Sequence, residues 1–431
     1  MKTLLPPVRV TRRNQRTVAA RIRRRFGFSS AEVLTRRVIE DVRRDGDKAL
    51  LQYTRKFDGV SVPKGQLKIP QSELKESTRR ADPKVLSALR LSLQRLEALQ
   101  RELLSKIDFS SQLNNFTLHL SATPLPSVGC YVPGGKAAYP STVLMTAGVA
   151  KLVGIPRVAI CTPPDSNGAV SDAVLAAADL CGVDEVYRCG GAQAIAALTY
   201  GTKTIPRVAK VVGPGGIYVA IAKKLVSGDV PIDFYAGPTE LIVVADKAAD
   251  TKLAAWDLIA QAEHGLDTLP CLVTCSEQVA ANVRSDMNRI LAGIERKRCV
   301  QESLANGSTA ICDDLDVACD FVNEMAPEHV ELLTERNNEL SERIHSAGLV
   351  LMGPYSPAAA SDYCVGTNHV LPTGGFARNH SGLSALDFMK LTWMVTGSPN
   401  GLQSILEPLK ILASSEGLPN HYFSVQARFE K

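Results

Sequence analysis

From about residue 127 onward, short β-branched and apolar runs alternate with stretches of helical period. Val128–Val132 reads as a strand, Ser141–Leu152 as a helix ended by Gly154, and Val158–Cys161 as a strand. Ala169–Leu180 then reads as a helix, Glu185–Arg188 as a strand, Ala192–Tyr200 as a helix, Ala209–Val212 as a strand and Gly216–Val226 as a helix. After Ala236 the rhythm resumes: a strand at Leu241–Ala245, a helix to His264, a strand at Cys271–Cys275, a helix to about Ile294, and strands at Thr309–Cys312, Val330–Leu333 and Leu349–Met352. Repeated βα units mean parallel sheets covered by helices, and the break in rhythm predicts two α/β domains.

Upstream of this region the pattern is helical. Ser29-x-x-Glu32 is a capping box ahead of Leu34, Val38, Ile39 and Val42. Asp82-Pro83 supplies an N-cap and first helical residue for a stripe at Leu86, Leu89, Leu93, Leu96 and Leu103, with Gln100 in the gap. Beyond Ala385 no strand pattern stands out, so the tail is expected to be a small helical appendage.

Charge changes this picture at one end only. The first 31 residues hold nine basic residues and no acid, while the chain as a whole carries 49 basic against 44 acidic residues. Such a segment can be a nucleic-acid arm, a transit peptide or a polar arm against a partner subunit; the near-neutral body favours the last. The ten cysteines form no CxxC pair, which points to a reducing cytosol and ordinary buried thiols. No run reaches the ~18 apolar residues of a membrane span.

Three glycine-rich turns follow predicted strands: Tyr131-Val-Pro-Gly134-Gly135, Cys189-Gly190-Gly191-Ala192-Gln193 and Gly213-Pro214-Gly215-Gly216. The last two lead into helices, whose bare N–H groups can hold a phosphate or dinucleotide; a plain tight turn explains any single one. Gln261 and His264 are three apart, hence on one helix face and able to share one ion. Glu328 and His329 set an acid beside a base at the start of a strand, an arrangement able to relay protons. HExxH, GxSxG and Walker sequences are absent.

These motifs, with Asp233-Phe-Tyr-Ala-Gly-Pro-Thr-Glu240, Gly353-Pro-Tyr, Asp362-Tyr, Gly366-Thr-Asn-His-Val-Leu-Pro-Thr373 and Ser381-Gly-Leu-Ser384, occur in order from about Phe28 to Arg428. Together they strongly resemble the histidinol dehydrogenase family. The resemblance implies two incomplete Rossmann-like, aldehyde-dehydrogenase-like α/β domains with small helical N- and C-terminal segments. It also implies an NAD-dependent, zinc-requiring four-electron oxidation of L-histidinol through L-histidinal to L-histidine, the last step of histidine biosynthesis. One zinc per subunit would be held by Gln261, His264, Asp362 and His421, all of which also face substrate. Glu328 and His329 would be the acid–base pair, with His329 touching substrate beside Thr239, His369 and Glu416. NAD contacts would be Tyr131, Gln193 and Gly216.

Two positions depart from the family pattern. Gly216 stands where the family has an asparagine, which removes a side-chain amide from the NAD site, and Cys130 replaces a residue that is often arginine. The expected organisation is a basic arm over 1–27, a larger α/β domain from 28–128 plus 240–384 with the metal and catalytic residues, a smaller NAD-binding domain over 129–239, and a helical tail over 385–431. Through Glu416 and His421 that tail would complete the partner's site in a homodimer. The family start without transit-peptide length implies a cytoplasmic protein, with neither membrane nor nucleic acid as a partner. The rival readings are a relative oxidising another polar alcohol, a nucleic-acid-binding protein using the arginine arm, and a metal-dependent hydrolase.

Overall fold

A computed structural model describes residues 3–23, 31–134, 138–235 and 237–430. Its strands are β1 (Pro7–Val10), β2 (Phe109–Leu113), β3 (Phe116–Pro124), β4 (Ser127–Tyr131), β5 (Arg157–Thr162), β6 (Glu185–Arg188), β7 (Val211–Val212), β8 (Glu240–Ala245), β9 (Leu269–Thr274), β10 (Ser308–Cys312), β11 (His329–Leu333), β12 (Leu349–Met352) and β13 (Met389–Gly397). The chain forms two compact units, Met1–Leu99 with Leu125–Phe388 and Gln100–Pro124 with Met389–Lys431.

The first unit holds two parallel sheets, β1-β10-β9-β8-β11-β12 and β6-β5-β4-β7. Both faces of the six-stranded sheet are buried, as parallel strands require. Leu241, Val243 and Ala245 of β8 point into a core with helices Thr251–Ala262 and Glu277–Ile290, while Ile242 and Val244 pack on the other face with Phe321 and Val322. Each such side chain contributes roughly 1.5–3 kcal/mol on burial. The four-stranded sheet is covered by Val38, Val42 and Leu50 and by the helix Gly191–Tyr200.

Most elements lie where the periodicity puts them, with instructive exceptions. Ser29 of the expected capping box lies outside the described residues, and the helix Glu32–Asp45 begins from Ala31 with no side-chain cap. Asp82 does cap the helix Pro83–Leu104, accepting from the Lys84 N–H at 2.8 Å. The helix expected over Ser141–Leu152 forms with a π turn at Leu144–Gly148. Cys275 falls just past β9, and seven of the ten free cysteines are buried.

The basic segment is part of the fold, not a detached arm. β1 pairs in parallel with β10, Pro7 opposite Thr309, and helix Gln15–Arg23 packs on helix Leu315–Met325. Several of its arginines meet acids: Arg9 with Asp313 at 2.8 Å, Arg16 with Glu324 at 3.0 Å, and Arg23 with Glu240 at 2.6 Å. These pairs offset part of the segment's positive charge. Among the described residues no helix is long and apolar enough to cross a membrane.

The second unit corrects the expectation of a strandless tail. β13 is a nine-residue strand, antiparallel to β3, which pairs in turn with β2. The run Met389-Lys-Leu-Thr-Trp-Met-Val-Thr-Gly397 gives no in–out alternation because Leu391, Trp393, Met394 and Val395 are all exposed. With neither face buried within the chain, the period-two signal is lost. The helices Leu406–Ser415 and Pro419–Gln426 follow.

One buried ion pair holds a glycine turn of the four-stranded sheet. Lys223, wholly buried, pairs with Asp233 and donates to the Gly213 carbonyl at 2.8 Å. Asp233 accepts from the N–H groups of Gly213 at 2.8 Å and Phe234 at 2.7 Å. Burial lowers the Lys223 pKa, and the Asp233 carboxylate opposes that shift. Lys223→Met therefore strands a buried carboxylate and should cost about 3–5 kcal/mol in urea unfolding, whereas adding Asp233→Asn should restore part of the loss. Equal midpoints for wild type and Lys223→Met would show that the pair does not hold the turn.

Candidate active site

In the four-stranded sheet β4 sits between β5 and β7, so successive connections leave in opposite directions and open a crevice at the carboxyl ends of β4 and β7. Tyr131 ends β4, and its hydroxyl accepts the Gly191 N–H at 3.1 Å. Burial pushes the Tyr131 phenol well above its usual range. Gln193, only 1% exposed, has neither amide atom hydrogen-bonded among the described residues. An unmade bond at a buried polar group costs about 1–3 kcal/mol, so this amide is poised for a ligand. A cavity of about 310 Å³ lies beside it, lined by Val38, Phe57, Gly191, Gln193 and Tyr218.

Gly213 admits no side chain: φ is +113°, and a Cβ would fall 2.2 Å from the Tyr131 carbonyl oxygen. Gly216 is different. It caps helix Ile217–Val226 with φ −63° and ψ 178°, and a Cβ there would meet nothing within 4 Å.

The six-stranded sheet presents its amino edge instead. Register sets His329 of β11 opposite Leu241 of β8, which brings Glu328 beside Thr239 and Glu240. Glu328 Oε2 accepts from Thr239 Oγ1 at 2.5 Å and from the Glu240 N–H at 2.8 Å. Gln261 Nε2 donates to Thr239 Oγ1 at 3.0 Å, an assignment that leaves its amide oxygen as a free donor atom for a metal. His264 lies two residues beyond its helix, with Nδ1 3.2 Å from the Gln261 carbonyl oxygen. That contact requires an Nδ1–H and leaves the Nε2 lone pair available.

His329 is buried, with Nδ1 3.4 Å from the Glu240 carbonyl oxygen and Nε2 3.7 Å from Asp362 Oδ1. Burial alone would lower its pKa; the charge of the nearby Glu328 carboxylate, 3.7 Å away, helped by Asp362, outweighs burial and raises it to about 9. His369 is set by the Asp362 carbonyl oxygen, 2.7 Å from Nδ1, and burial lowers its pKa.

Both edges meet on one cavity of about 310 Å³, walled by Pro214, Gly215 and Gly216 on one side and by Thr239, Glu328 and His329 on the other. His264, Asp362 and His369 also line it. A neighbouring cavity of about 470 Å³ is lined by Gln261, His264 and Asp362. Tyr131 and Gln193 line neither of these two cavities. Glu416 and His421 belong to the second unit and are exposed. Among the described residues no three His, Cys, Asp or Glu side chains form a ready metal cluster. An amide, an imidazole and a carboxylate from the first unit would need a further ligand to complete four-coordination.

Sequence reasoning missed two carboxyls that line the 470 Å³ cavity, the part-buried Asp257 and the buried Glu331. Asp257 lies one helical turn before Gln261, and Glu331 lies two residues beyond His329 on the same strand face. Burial raises both, and the Asp257 charge helps bring Glu331 to about 8. Their spacing was visible in the sequence; their burial was not.

The histidinol dehydrogenase family model matches residues 22–429. The chain belongs to the histidinol dehydrogenase family. The histidinol dehydrogenase of Methanosarcina mazei is 42% identical over 393 residues, covering 91% of this chain and 90% of that protein. The one from Methanopyrus kandleri is 41% identical, covering 95% of this chain and 96% of that protein. A crystal structure of histidinol dehydrogenase from Elizabethkingia anophelis superposes with a TM-score of 0.90 at 31% identity, covering 99% of this chain and 98% of that one. Histidinol dehydrogenases are oxidoreductases, and this chain is an enzyme of that kind.

The open space at Gly216 yields a test of the turn. Asparagine is a better N-cap than glycine by a few tenths of a kcal/mol, and here it meets neither clash nor strain. Gly216→Asn should leave the thermal midpoint equal or slightly higher; a clear drop would mean that the turn needs glycine.

Proposed function

We propose that the chain oxidises L-histidinol through L-histidinal to L-histidine, with two NAD and one zinc per subunit, in a homodimer with shared sites. The observation that carries this reading is the Glu328–His329 pair on a cavity whose opposite wall is a glycine-rich helix start. The donor set fits zinc, with a free amide oxygen, a free imidazole nitrogen and a carboxylate from Gln261, His264 and Asp362, and His421 of the partner subunit as fourth ligand. The unpartnered Gln193 amide, the Tyr131 hydroxyl and the Gly216 helix start fit NAD.

A bound zinc would supply a Lewis acid to anchor the amino alcohol, and a bound NAD would supply the hydride acceptor. His329 takes the hydroxyl proton at Nε2, which is buried and has no hydrogen-bond partner among the described residues. Surrounding carboxylates raise its proton affinity, so it acts as acceptor from its neutral form, which gains population as pH rises toward about 9. Glu328 then takes a proton from the water that hydrates the aldehyde. Its Oε2 is already fixed by two donors, and Oε1 carries no protein hydrogen bond among the described residues. After passing its first proton to solvent, His329 accepts again during the second oxidation. Thr239 links Gln261 to Glu328 and faces substrate with His369 and Glu416 of the partner subunit.

The purified enzyme should form two NADH per histidinol consumed and carry about one zinc per chain, with chelation abolishing turnover and zinc restoring it. Full turnover in metal-free protein would remove zinc from the reading. Absence of NADH formation would remove the reading itself.

The shared site is supported by the second unit. β13 exposes Trp393 on one face and Met394 on the other, and Ile411, Leu412 and Phe423 are exposed on its helices. Apolar area of this extent fits cover by a second copy. His329→Ala and His421→Ala should each be nearly inactive. Unfolded and re-paired in equal amounts, they should recover roughly a quarter of wild-type activity, since half the dimers are mixed and each has one intact site. Recovery near zero, with mixed dimers shown by mass, would overturn sharing.

A further inference from the structure

We propose that Arg23, from the basic N-terminal segment, is a positioning residue for the Glu328–His329 pair and acts through Glu240. The inference rests on the reading of that pair as the acid–base pair. Arg23 Nη1 donates to Glu240 Oε1 at 2.6 Å and Nη2 donates to Oε2 at 3.2 Å, a two-pronged grip on a carboxylate that is itself buried. The Gly374 N–H donates to the same Oε1 at 2.9 Å. Glu240 is thus fixed from two sides by its side chain.

Its main chain carries the effect into the site. The Glu240 N–H donates to Glu328 Oε2 at 2.8 Å, and its carbonyl oxygen lies 3.4 Å from His329 Nδ1. One peptide neighbourhood therefore orients the carboxylate and sets the imidazole tautomer. The guanidinium also grips the other strand's approach. Arg23 Nη2 donates to the carbonyl oxygen of Ala326 at 3.2 Å and to that of Met325. These carbonyls end helix Leu315–Met325, where a cation is favoured, and Ala326 takes φ +41° two residues before Glu328.

One cation therefore joins the entry to β8 and the entry to β11, the two segments that carry the pair. Neither Arg23 nor Glu240 lines the 310 Å³ cavity, so neither is placed to touch substrate. A lysine keeps the charge but cannot span the carboxylate and the carbonyls with a planar fork.

The test uses the zinc-loaded enzyme, with kcat and KM for histidinol and NAD measured for Arg23→Ala, Arg23→Lys and Glu240→Ala. Misplacement of a reacting group by about 1 Å can cost 100-fold, so Arg23→Ala should lower kcat about 30–100-fold with both KM values within about twofold. Arg23→Lys should lie between, and ethylguanidinium should raise the kcat of Arg23→Ala but not that of Glu240→Ala. The double variant should fall no further than the lower single variant, because both act on one path.

Should Arg23→Ala fail to fold, Arg23→Lys carries the test, with a kcat loss of about tenfold at unchanged KM expected. A kcat within threefold of wild type in Arg23→Ala overturns the inference, or in Arg23→Lys where Arg23→Ala does not fold. So does a loss in Arg23→Ala without guanidinium rescue. Glu328→Gln assayed alongside separates the two levels: if it is fully active, the underlying reading fails whatever Arg23 does.

Discussion

Parallel pairing of β8 with β11 is the constraint on which the site depends. Its register places Leu241 opposite His329, so the residues just before each strand, Thr239–Glu240 and Pro327–Glu328, must lie side by side. A shift of one residue would turn His329 to the other face of the sheet and separate Glu328 from the Glu240 N–H. The register is protected by burial on both faces, since Ile242, Val244, Val330 and Leu332 pack on one side and Leu241 and Val243 on the other. The geometry of the Glu328–His329 pair is thus secured by a hydrophobic core several residues away.

The two sheets contribute opposite ends to the same cavity. The four-stranded sheet offers its carboxyl edge, where parallel sheets open a crevice and helix N-termini point outward. The six-stranded sheet offers its amino edge, a less usual place for chemistry. That edge works because strand starts, unlike helix starts, leave Thr239 and Glu328 free to bond to one another. The glycine turns bring backbone donors, and the strand starts bring acids and bases.

Much of this was legible in the sequence. Parallel α/β units show as apolar runs of strand length between helices, and β5, β6, β8, β10, β11 and β12 fell close to where the pattern put them. Glu328 and His329 could be picked out as an acid beside a base at a strand start, but alone that spacing is common, and their role as a pair came from the family resemblance. What escaped detection depends on long-range partners. β1 sits in a segment read only for its charge, and it becomes a strand by adding to the edge of β10. β13 has no buried face within the chain, so its pattern carried no period. Arg23 looked like one of nine basic residues; only folding shows that it reaches Glu240, 217 positions away.

The charge balance of the cavity explains the direction in which the site should work. Glu328, Asp362 and Asp267 line it, and no lysine or arginine does among the described residues. Arg23 neutralises Glu240 behind the wall, not within it. Such a cavity favours cationic occupants: a metal ion, or an amine entering with its alcohol. A two-stage oxidation that ends in a carboxylate changes this balance at its last step. A new anion about 4 Å from a fixed carboxylate meets roughly 4 kcal/mol of repulsion at an effective dielectric of 20. A neutral aldehyde meets none and can be held until it is oxidised. On the proposed reading the carboxylates would disfavour the anionic product relative to the neutral aldehyde, and the charge of a bound zinc would offset part of that difference.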